Sequence, residues 1–315
     1  MKVLFAAPED AWGGIFYRYQ QALPEFEWQA LGHYQLHDLH GVDVLIPTMS
    51  KVTEPVLASA NQLKLIQQVG AGLEGVDLAA AEMRKIAVAN VPTGDSGNAD
   101  SVAELTVWMM LSLVRQARLI PQALQQRQLG TPCGDTLQGR TVGLIGFGGL
   151  GQAIAKRLRA FDMTLLAVKR HADTALAERF GLEWCADMSQ LDTLLSCSDH
   201  VILTLPDSPD SHHLLNSHRL ALMKPSAFVI NVGRGGVVDT DALVDALNQQ
   251  RLAGAGLDVF EQEPADPDHP LFAQNVIASA HIGGVTHLSQ QGIFDAVVEN
   301  LQRLKQNDPL AYRVV

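Results

Sequence analysis

The chain has 315 residues, of which 47% are hydrophobic and 18% are charged, and it carries a net charge of −11 at pH 7. This composition is typical of a globular protein and excludes a disordered chain. The negative charge argues against binding to nucleic acid, which needs a basic face, and no apolar run is long enough to cross a membrane. Three cysteines without metal-ligand spacing indicate a reducing, cytoplasmic environment, and Cys197 is expected to be a buried thiol.

The first part of the chain alternates short apolar runs with helical segments. Strands are predicted at residues 3–6, 44–46, 65–69 and 86–89, and helices at residues 54–60 and 78–84. That alternation favours a parallel sheet with crossover helices. Gly70, Ala71 and Gly72 follow the third of these strands, where small residues can present bare backbone amides to a carboxylate. The same residues also suit an ordinary turn into a helix.

A turn-rich stretch at residues 91–97 is typical of a hinge. Ser101 follows it, with Glu104 three residues later, and this capping-box pattern predicts that a helix begins at Ser101. Because the residues that follow are mostly apolar, the helix is predicted to continue through Arg118.

The most informative local pattern is an apolar run at residues 141–145 that leads into Gly146-Phe147-Gly148-Gly149-Leu150-Gly151 and then into a helical segment. Strand, glycine turn and helix in that order indicate a dinucleotide-binding unit. Gly146 would allow the tight turn, Gly148 would admit a pyrophosphate, and Gly151 would let the helix pack on the strand. The helix N-terminus favours negative charge. A glycine-rich surface turn is the alternative.

The next predicted strand, residues 164–168, ends in Lys169 and Arg170. An NAD-binding unit usually has an acidic residue at about this distance from the glycine turn, where it binds the 2′-hydroxyl of the ribose. A base at this position suits a 2′-phosphate and therefore NADPH. A solvated basic pair is the alternative.

Three later strands, predicted at residues 227–232, 255–259 and 276–280, each deliver one ionisable residue just past the strand end: Arg234, Glu263 and His281. An open α/β sheet binds its ligands at the carboxyl ends of its strands. An arginine can hold a carboxylate with its planar fork. A histidine with a carboxylate partner can donate and accept a proton near neutral pH. Taken singly, Arg234 also suits a surface ion pair, Glu263 a solvated acid and His281 a structural histidine.

Two other histidine groups are not assigned a function. His33, His37 and His40 have near-helical spacing but no converging cysteine or carboxylate, so no metal site is predicted. His212 and His213 lie in a turn sequence and are expected to be solvated, as is Glu261.

Taken together, these segments resemble the D-isomer-specific 2-hydroxyacid dehydrogenases over nearly the whole chain. The stretches around Arg234, Glu263 and His281 carry the most specific similarity. Residues 69–77 resemble the family's substrate loop, residues 101–104 the start of its interdomain helix, and residues 204–206 its nicotinamide-side turn.

The resemblance implies an α/β protein of two domains. One is a Rossmann-type doubly wound parallel sheet at residues 100–284, which binds the dinucleotide. The other is a flavodoxin-like substrate domain made of residues 1–99 and 285–315, because the last helix of the family returns to the first domain.

The resemblance also implies the site. The catalytic residues are Arg234, Glu263 and His281, and Arg234 binds substrate together with Gly70, Ala71 and Gly72. The residues expected to contact the cofactor are Gly146, Gly148, Gly149, Leu150, Gly151, Lys169, Arg170, Thr204, Leu205, Pro206 and Asp258.

The activity implied is hydride transfer that reduces a small 2-oxo acid to the D-2-hydroxy acid, with glyoxylate and hydroxypyruvate as the best substrates. NADPH is the preferred cofactor and NAD is possible. A homodimer is expected, with no metal, nucleic-acid or membrane partner. The alternatives are a phosphoglycerate or phosphite dehydrogenase of the same family, and a dinucleotide-sensing corepressor that binds proteins and catalyses nothing.

Overall fold

The computed structural model describes residues 1–315. The strands, in chain order, are β1 (Lys2–Phe5), β2 (Glu27–Ala30), β3 (Val44–Ile46), β4 (Leu65–Gln67), β5 (Ala87–Ala89), β6 (Thr141–Ile145), β7 (Thr164–Val168), β8 (Trp184–Ala186), β9 (His200–Leu203), β10 (Phe228–Asn231), β11 (Gly254–Leu257) and β12 (Val276–Ala278). The α-helices are α1 (Ala11–Ala22), α2 (Glu54–Ala58), α3 (Leu78–Met83), α4 (Asn98–Val114), α5 (Ile120–Gln125), α6 (Gly149–Leu158), α7 (Thr174–Phe180), α8 (Leu191–Cys197), α9 (Ser217–Leu220), α10 (Thr240–Asn248) and α11 (His287–Gln306).

The chain forms two compact units. The first unit consists of Met1–Gly97 and His287–Val315, and the second of Asn98–Thr286. The last helix, α11, therefore belongs with the N-terminal segment. None of the helices combines the length and apolar character that crossing a membrane requires.

The first unit contains a five-stranded parallel sheet in the order β2-β1-β3-β4-β5, which is the flavodoxin-like order. All residues of β3, β4 and β5 are buried because separate apolar clusters cover both faces of the sheet. Phe5 and Leu301 of α11 belong to one cluster, and Leu4 and Leu57 of α2 to the other.

The second unit contains a seven-stranded parallel sheet in the order β12-β11-β10-β9-β6-β7-β8. The chain starts at β6 near the middle, proceeds outward to β8, and then returns to β9 on the other side of β6. This is the strand order of the Rossmann fold with one further strand, and the reversal between β6 and β9 is the point at which such sheets bind dinucleotides. The predicted fold class is confirmed for both sheets.

The predicted start and end of the long helix were wrong. Helix α4 begins at Asn98, so Ser101 lies within it, and the Ser101 hydroxyl lies 2.7 Å from the Thr286 hydroxyl. Glu104 does not reach back to the helix start but pairs with Arg157 of α6 at 3.0 Å. The helix ends at Val114 because Gln116 adopts a left-handed conformation with φ 50°.

The prediction for Cys197 was also wrong. Cys197 is the last residue of α8 and is exposed, whereas Cys185 in β8 is buried. The apolar run near Cys197 is the buried strand β9, and the thiol lies before it at the helix end, where it contributes nothing to the sheet core.

Candidate active site

The glycine turn joins β6 to α6 with the geometry that phosphate binding requires. Gly146 has φ 95°, which side-chain-bearing residues rarely adopt. A Cβ on Gly151 would lie 2.6 Å from the carbonyl oxygen of Gly146, so the close packing of helix on strand needs glycine there. A Cβ on Gly148 would meet nothing within 4 Å. Open space therefore lies beside Gly148, and Gly149 and Leu150 form the first turn of α6 with its free amides.

The turn after β9 lies directly beside the glycine turn. Because β9 pairs with β6, the amide of Thr204 donates to the Ile145 carbonyl at 3.0 Å, and its hydroxyl donates to the Gly146 carbonyl at 3.0 Å. Leu205 and Pro206 continue this turn at the carboxyl ends of the strands. The structure thus brings the predicted cofactor-contacting turns together at the reversal point of the sheet.

Lys169 and Arg170 follow β7, the next strand beyond β6. The ammonium group of Lys169 lies 3.5 Å from Asp173, whose carboxylate also caps the N-terminus of α7. Arg170 is exposed. Both bases lie past the carboxyl end of their strand.

Arg234 extends from a turn that follows β10. Asn231, the last residue of the strand, accepts a hydrogen bond from the Gly233 amide at 3.1 Å and donates to the Arg234 carbonyl at 2.9 Å. One amide side chain thus holds both ends of the turn. A Cβ on Gly233 would lie 2.6 Å from the Leu205 carbonyl oxygen, and a Cβ on Gly235 would overlap the backbone of Phe260. The arginine turn is therefore confined between the loops that follow β9 and β11.

His281 and Glu263 meet across the loops that follow β12 and β11. His281 Nδ1 lies 2.8 Å from Glu263 Oε2, and Glu263 Oε1 accepts the amide of Phe260 at 3.0 Å. The two side chains are 38% and 25% exposed, respectively. Because Nδ1 contacts the carboxylate, the other ring nitrogen, Nε2, remains available for a ligand.

The electrostatics of this pair favour the ionised forms. The hydrogen bond that the His281 ring donates to Glu263, helped by the negative charge of that carboxylate, raises the pKa of His281 despite desolvation. Desolvation opposes ionisation of Glu263, but the hydrogen bond and the charge of His281 outweigh it, so the pKa of Glu263 lies below its usual range. The positive charge of Arg234 contributes to the low pKa of Glu263 and offsets part of the rise in the pKa of His281. The structure therefore brings the three predicted residues into one electrostatic cluster.

Asp258 fixes the backbone around His281. It is only 2% exposed, and its carboxylate accepts the Ser279 hydroxyl at 2.6 Å and the amides of Ile282 and Gly283 at 2.8 and 2.9 Å. The His281 amide donates to the Asp258 carbonyl at 2.8 Å. These bonds hold His281 in a left-handed conformation with φ 53°. The predicted contact of Asp258 with the cofactor stays a prediction.

Gly70, Ala71 and Gly72 lie in the first unit, in the loop after β4. The Gly70 carbonyl accepts the Val91 amide at 3.0 Å, and the Ala71 carbonyl accepts the Asn90 side chain at 2.9 Å. Both carbonyls are therefore bonded to the segment that follows β5, and these bonds hold this part of the loop in place.

Glu261 is exposed and His213 is partly exposed, in keeping with the expectation that they are solvated, but that expectation did not include the contact between them. Glu261 Oε1 lies 2.6 Å from His213 Nε2, and Glu261 Oε2 accepts the amide of Thr240 at 3.0 Å. The two residues lie 48 positions apart in the sequence, and the local turn pattern contains no signal for this contact. Only the order β11-β10-β9 brings their loops together.

Comparison with known proteins agrees with this geometry. The family model described as D-isomer specific 2-hydroxyacid dehydrogenase, NAD binding domain, matches residues 107–283. Glyoxylate reductase of Thermococcus litoralis is 34% identical over 276 residues, which cover 84% of this chain and 81% of that protein. D-3-phosphoglycerate dehydrogenase of Methanocaldococcus jannaschii is 35% identical over 286 residues, which cover 89% of this chain but 53% of that protein.

Among solved structures, the chain is similar to the NADPH-dependent glyoxylate/hydroxypyruvate reductase of Sinorhizobium meliloti in complex with NADP and malonate. The TM-score is 0.86 and the identity 29%, and the match covers 100% of this chain and 96% of that chain. Fold, site geometry and similarity agree, and the chain belongs to the D-isomer-specific 2-hydroxyacid dehydrogenases, a family of oxidoreductases with an NAD(P)-binding domain.

Proposed function

We propose that the protein reduces a small 2-oxo acid to the D-2-hydroxy acid with NADPH, and that glyoxylate and hydroxypyruvate are its preferred substrates. The observation that carries the proposal is the His281–Glu263 pair at 2.8 Å with the charge of Arg234 beside it. A proton donor next to a carboxylate-binding cation is the equipment that reduction of a 2-oxo acid requires.

The residues around the glycine turn fit a dinucleotide. The space beside Gly148 and the amides at the start of α6 suit the pyrophosphate. We propose further contacts from Gly146, Gly149, Leu150, Gly151, Thr204, Leu205, Pro206 and Asp258. When bound, the nicotinamide cofactor supplies the hydride that is added to C2 of the acid.

The protein's own residues would do the rest of the chemistry. Protonated His281 delivers the Nε2 proton to the carbonyl oxygen of the substrate, and Glu263 stabilises the imidazolium and fixes its tautomer. Arg234 binds the carboxylate and the carbonyl oxygen with its planar fork. In the first unit, the amides of Gly70, Ala71 and Gly72 are proposed to bind the substrate carboxylate.

The preference for NADPH rests on Lys169 and Arg170, which replace the acid that usually binds the ribose 2′-hydroxyl. The similar Sinorhizobium meliloti protein, described as NADPH-dependent, supports this choice. Asp173 does not take the place of the missing acid, because its carboxylate already caps α7 and pairs with Lys169.

We further propose a homodimer, consistent with large apolar side chains that are exposed on α4 and the segment after it. They include Trp108, Leu119, Ile120 and Leu124, which are 50%, 47%, 41% and 72% exposed. Exposed large apolar side chains on successive elements would favour a protein interface if they form one surface. The three free cysteines fit the reducing conditions of the cytoplasm.

The test is a panel of glyoxylate, hydroxypyruvate, 3-phosphohydroxypyruvate and 2-oxoglutarate with each reduced cofactor. Oxidation of phosphite is measured separately with each oxidised cofactor. We expect the first two acids with NADPH to give the highest kcat/KM. A higher kcat/KM for the phosphorylated acid or for phosphite would support the corresponding alternative enzyme. No turnover of any substrate, with cofactor binding retained, would support the corepressor.

A further inference from the structure

We propose that His213 and Glu261 are positioning residues, which hold the Arg234 turn and the Glu263 loop in register and so set the affinity for the carboxylate of the substrate. This inference deepens the proposed function and rests on it. It assigns a role to two residues that do not themselves contact the reacting atoms.

The pair has two well-formed connections. The His213 ring and the Glu261 carboxylate meet at 2.6 Å, and the two side chains are 38% and 32% exposed. The second carboxylate oxygen of Glu261 accepts the amide of Thr240, the first residue of α10, at 3.0 Å. Both oxygens are therefore engaged, and the side chain is fixed at both ends.

The pair bridges the two loops that enclose the Arg234 turn. His213 belongs to the segment after β9, and its backbone amide donates to the Gly236 carbonyl at 2.8 Å. Glu261 belongs to the segment after β11, two residues before Glu263. Gly235 packs so tightly on Phe260 that a Cβ would not fit. Movement of either loop would therefore displace the turn between them.

The backbone of His213 shows that the position is constrained. Its φ is 48°, in the left-handed region where residues other than glycine are uncommon, and His281 has the same feature with φ 53°. Such a conformation persists only when the surroundings hold it. For His213, the amide bond to Gly236 and the ring contact with Glu261 provide that support.

The charges that face His213 are all acidic. They are Glu261 at 2.6 Å, Asp239 at 4.0 Å at the N-cap of α10, and Asp207 from the same loop. The ring of His212, which itself lies 3.5 Å from Asp207, stacks on His213 at a centroid distance of 4.2 Å. The hydrogen bond to Glu261, helped by these charges, raises the pKa of His213.

The sign of the pH effect follows. Below the raised pKa, His213 is charged and the ion pair with Glu261 is complete. As the pH rises through that pKa, the charge is lost and the bridge weakens. The KM for the acid should therefore rise at alkaline pH through a step that depends on Glu261, separately from the titration of His281 that depends on Glu263.

The experiment compares His213→Gln, His213→Ala and Glu261→Gln with wild type, and uses His218→Ala, an exposed histidine in the neighbouring α9, as the matched control. The KM for glyoxylate and kcat are measured across the pH range with NADPH. We expect His213→Ala to raise KM about tenfold with a smaller effect on kcat, since a small misplacement of a binding group is costly. We expect Glu261→Gln to move the alkaline rise in KM to lower pH, and His218→Ala to match wild type.

A second readout does not depend on turnover. In NMR titrations of the full chain, the ring resonance that disappears in His213→Gln should titrate at lower pH in Glu261→Gln. If wild type is active and KM is unchanged in His213→Ala and Glu261→Gln, the positioning role is overturned while the proposed function stands. If wild type turns over no 2-oxo acid, both are overturned. If His213→Ala fails to fold, the test relies on His213→Gln, which preserves a polar contact with Glu261.

Discussion

The carboxylate of Asp258 holds the backbone of Gly283, whose amide donates to Oδ2 at 2.9 Å. The other oxygen, Oδ1, accepts from Ser279 and Ile282. The turn that presents His281 is therefore built around one buried carboxylate, and a Cβ on Gly283 would lie 2.7 Å from it. Because all three partners are donors, only a side chain with a hydrogen-bond acceptor at both oxygen positions satisfies them.

We expect Asp258→Asn to lower both stability and activity. In the orientation that keeps the bonds of Oδ1, the new NH2 group faces the Gly283 amide, so one hydrogen bond is lost and two donors are opposed. Leaving a buried donor without an acceptor costs about 1–3 kcal/mol, which urea denaturation would measure. Asp268→Asn, at an exposed position, is the control. Wild-type unfolding and kcat in Asp258→Asn would show that this carboxylate does not support the turn.

The second prediction concerns the pH profile of reduction. Protonated His281 is the active form, and Glu263 raises its pKa, so activity is present below that raised pKa and is lost as the pH rises through it. Glu263→Gln removes the charge, and the alkaline limb should move to lower pH. His281→Ala should lower kcat by about 10²- to 10⁴-fold at every pH, the usual contribution of general acid catalysis. An alkaline limb that stays in place in Glu263→Gln would contradict the coupling of the two groups.

The local patterns predicted most of what positions the site. The glycine turn and the Arg234 turn could be predicted from the sequence because, in each case, an apolar strand is followed directly by glycines that have separate steric roles. β2 was missed because it is an edge strand whose residues are exposed or only half-buried, so no apolar run marks it. The predicted helix start at Ser101 was wrong because a capping pattern does not exclude a helix that begins one turn earlier. The His213–Glu261 contact depends on the order of three strands, which no local pattern encodes.

The third prediction is that Lys169 selects the cofactor. Hydrogen bonds to charged groups contribute about 1.5–3 kcal/mol each, so one bond to a 2′-phosphate gives at least a roughly tenfold preference for NADPH. Lys169→Asp should abolish or reverse this preference, measured as the ratio of kcat/KM for NADPH and NADH. Lys156→Asp, at an exposed position in the last turn of α6, is the control. Equal use of both cofactors by wild type would contradict the prediction.

The fourth prediction separates the charge of Arg234 from its shape. Arg234→Ala should raise the KM for the acid and lower kcat together, because the side chain is proposed to bind both the carboxylate and the developing charge on the carbonyl oxygen. Arg234→Lys keeps the charge but loses the planar fork, so it should recover only part of the activity. Steady-state kinetics with glyoxylate would test this order. Full activity in Arg234→Lys would show that charge alone suffices.

The last prediction concerns the size and charge of the substrate. The segments proposed to contact it, residues 69–77, 233–236 and 281–284, contain one arginine, Arg234, and no lysine. A second anionic group on the substrate would need another cation. We propose Lys51 as the candidate, because it is exposed in the loop after β3, the strand that pairs with β4, and β4 precedes Gly70. A single lysine binds phosphate less well than a bidentate arginine does. We therefore expect glyoxylate and hydroxypyruvate to show higher kcat/KM than 3-phosphohydroxypyruvate and 2-oxoglutarate, and Lys51→Ala to leave the first two almost unchanged. If 3-phosphohydroxypyruvate were preferred and Lys51→Ala abolished that preference, Lys51 would be a phosphate-binding residue and the substrate assignment would change.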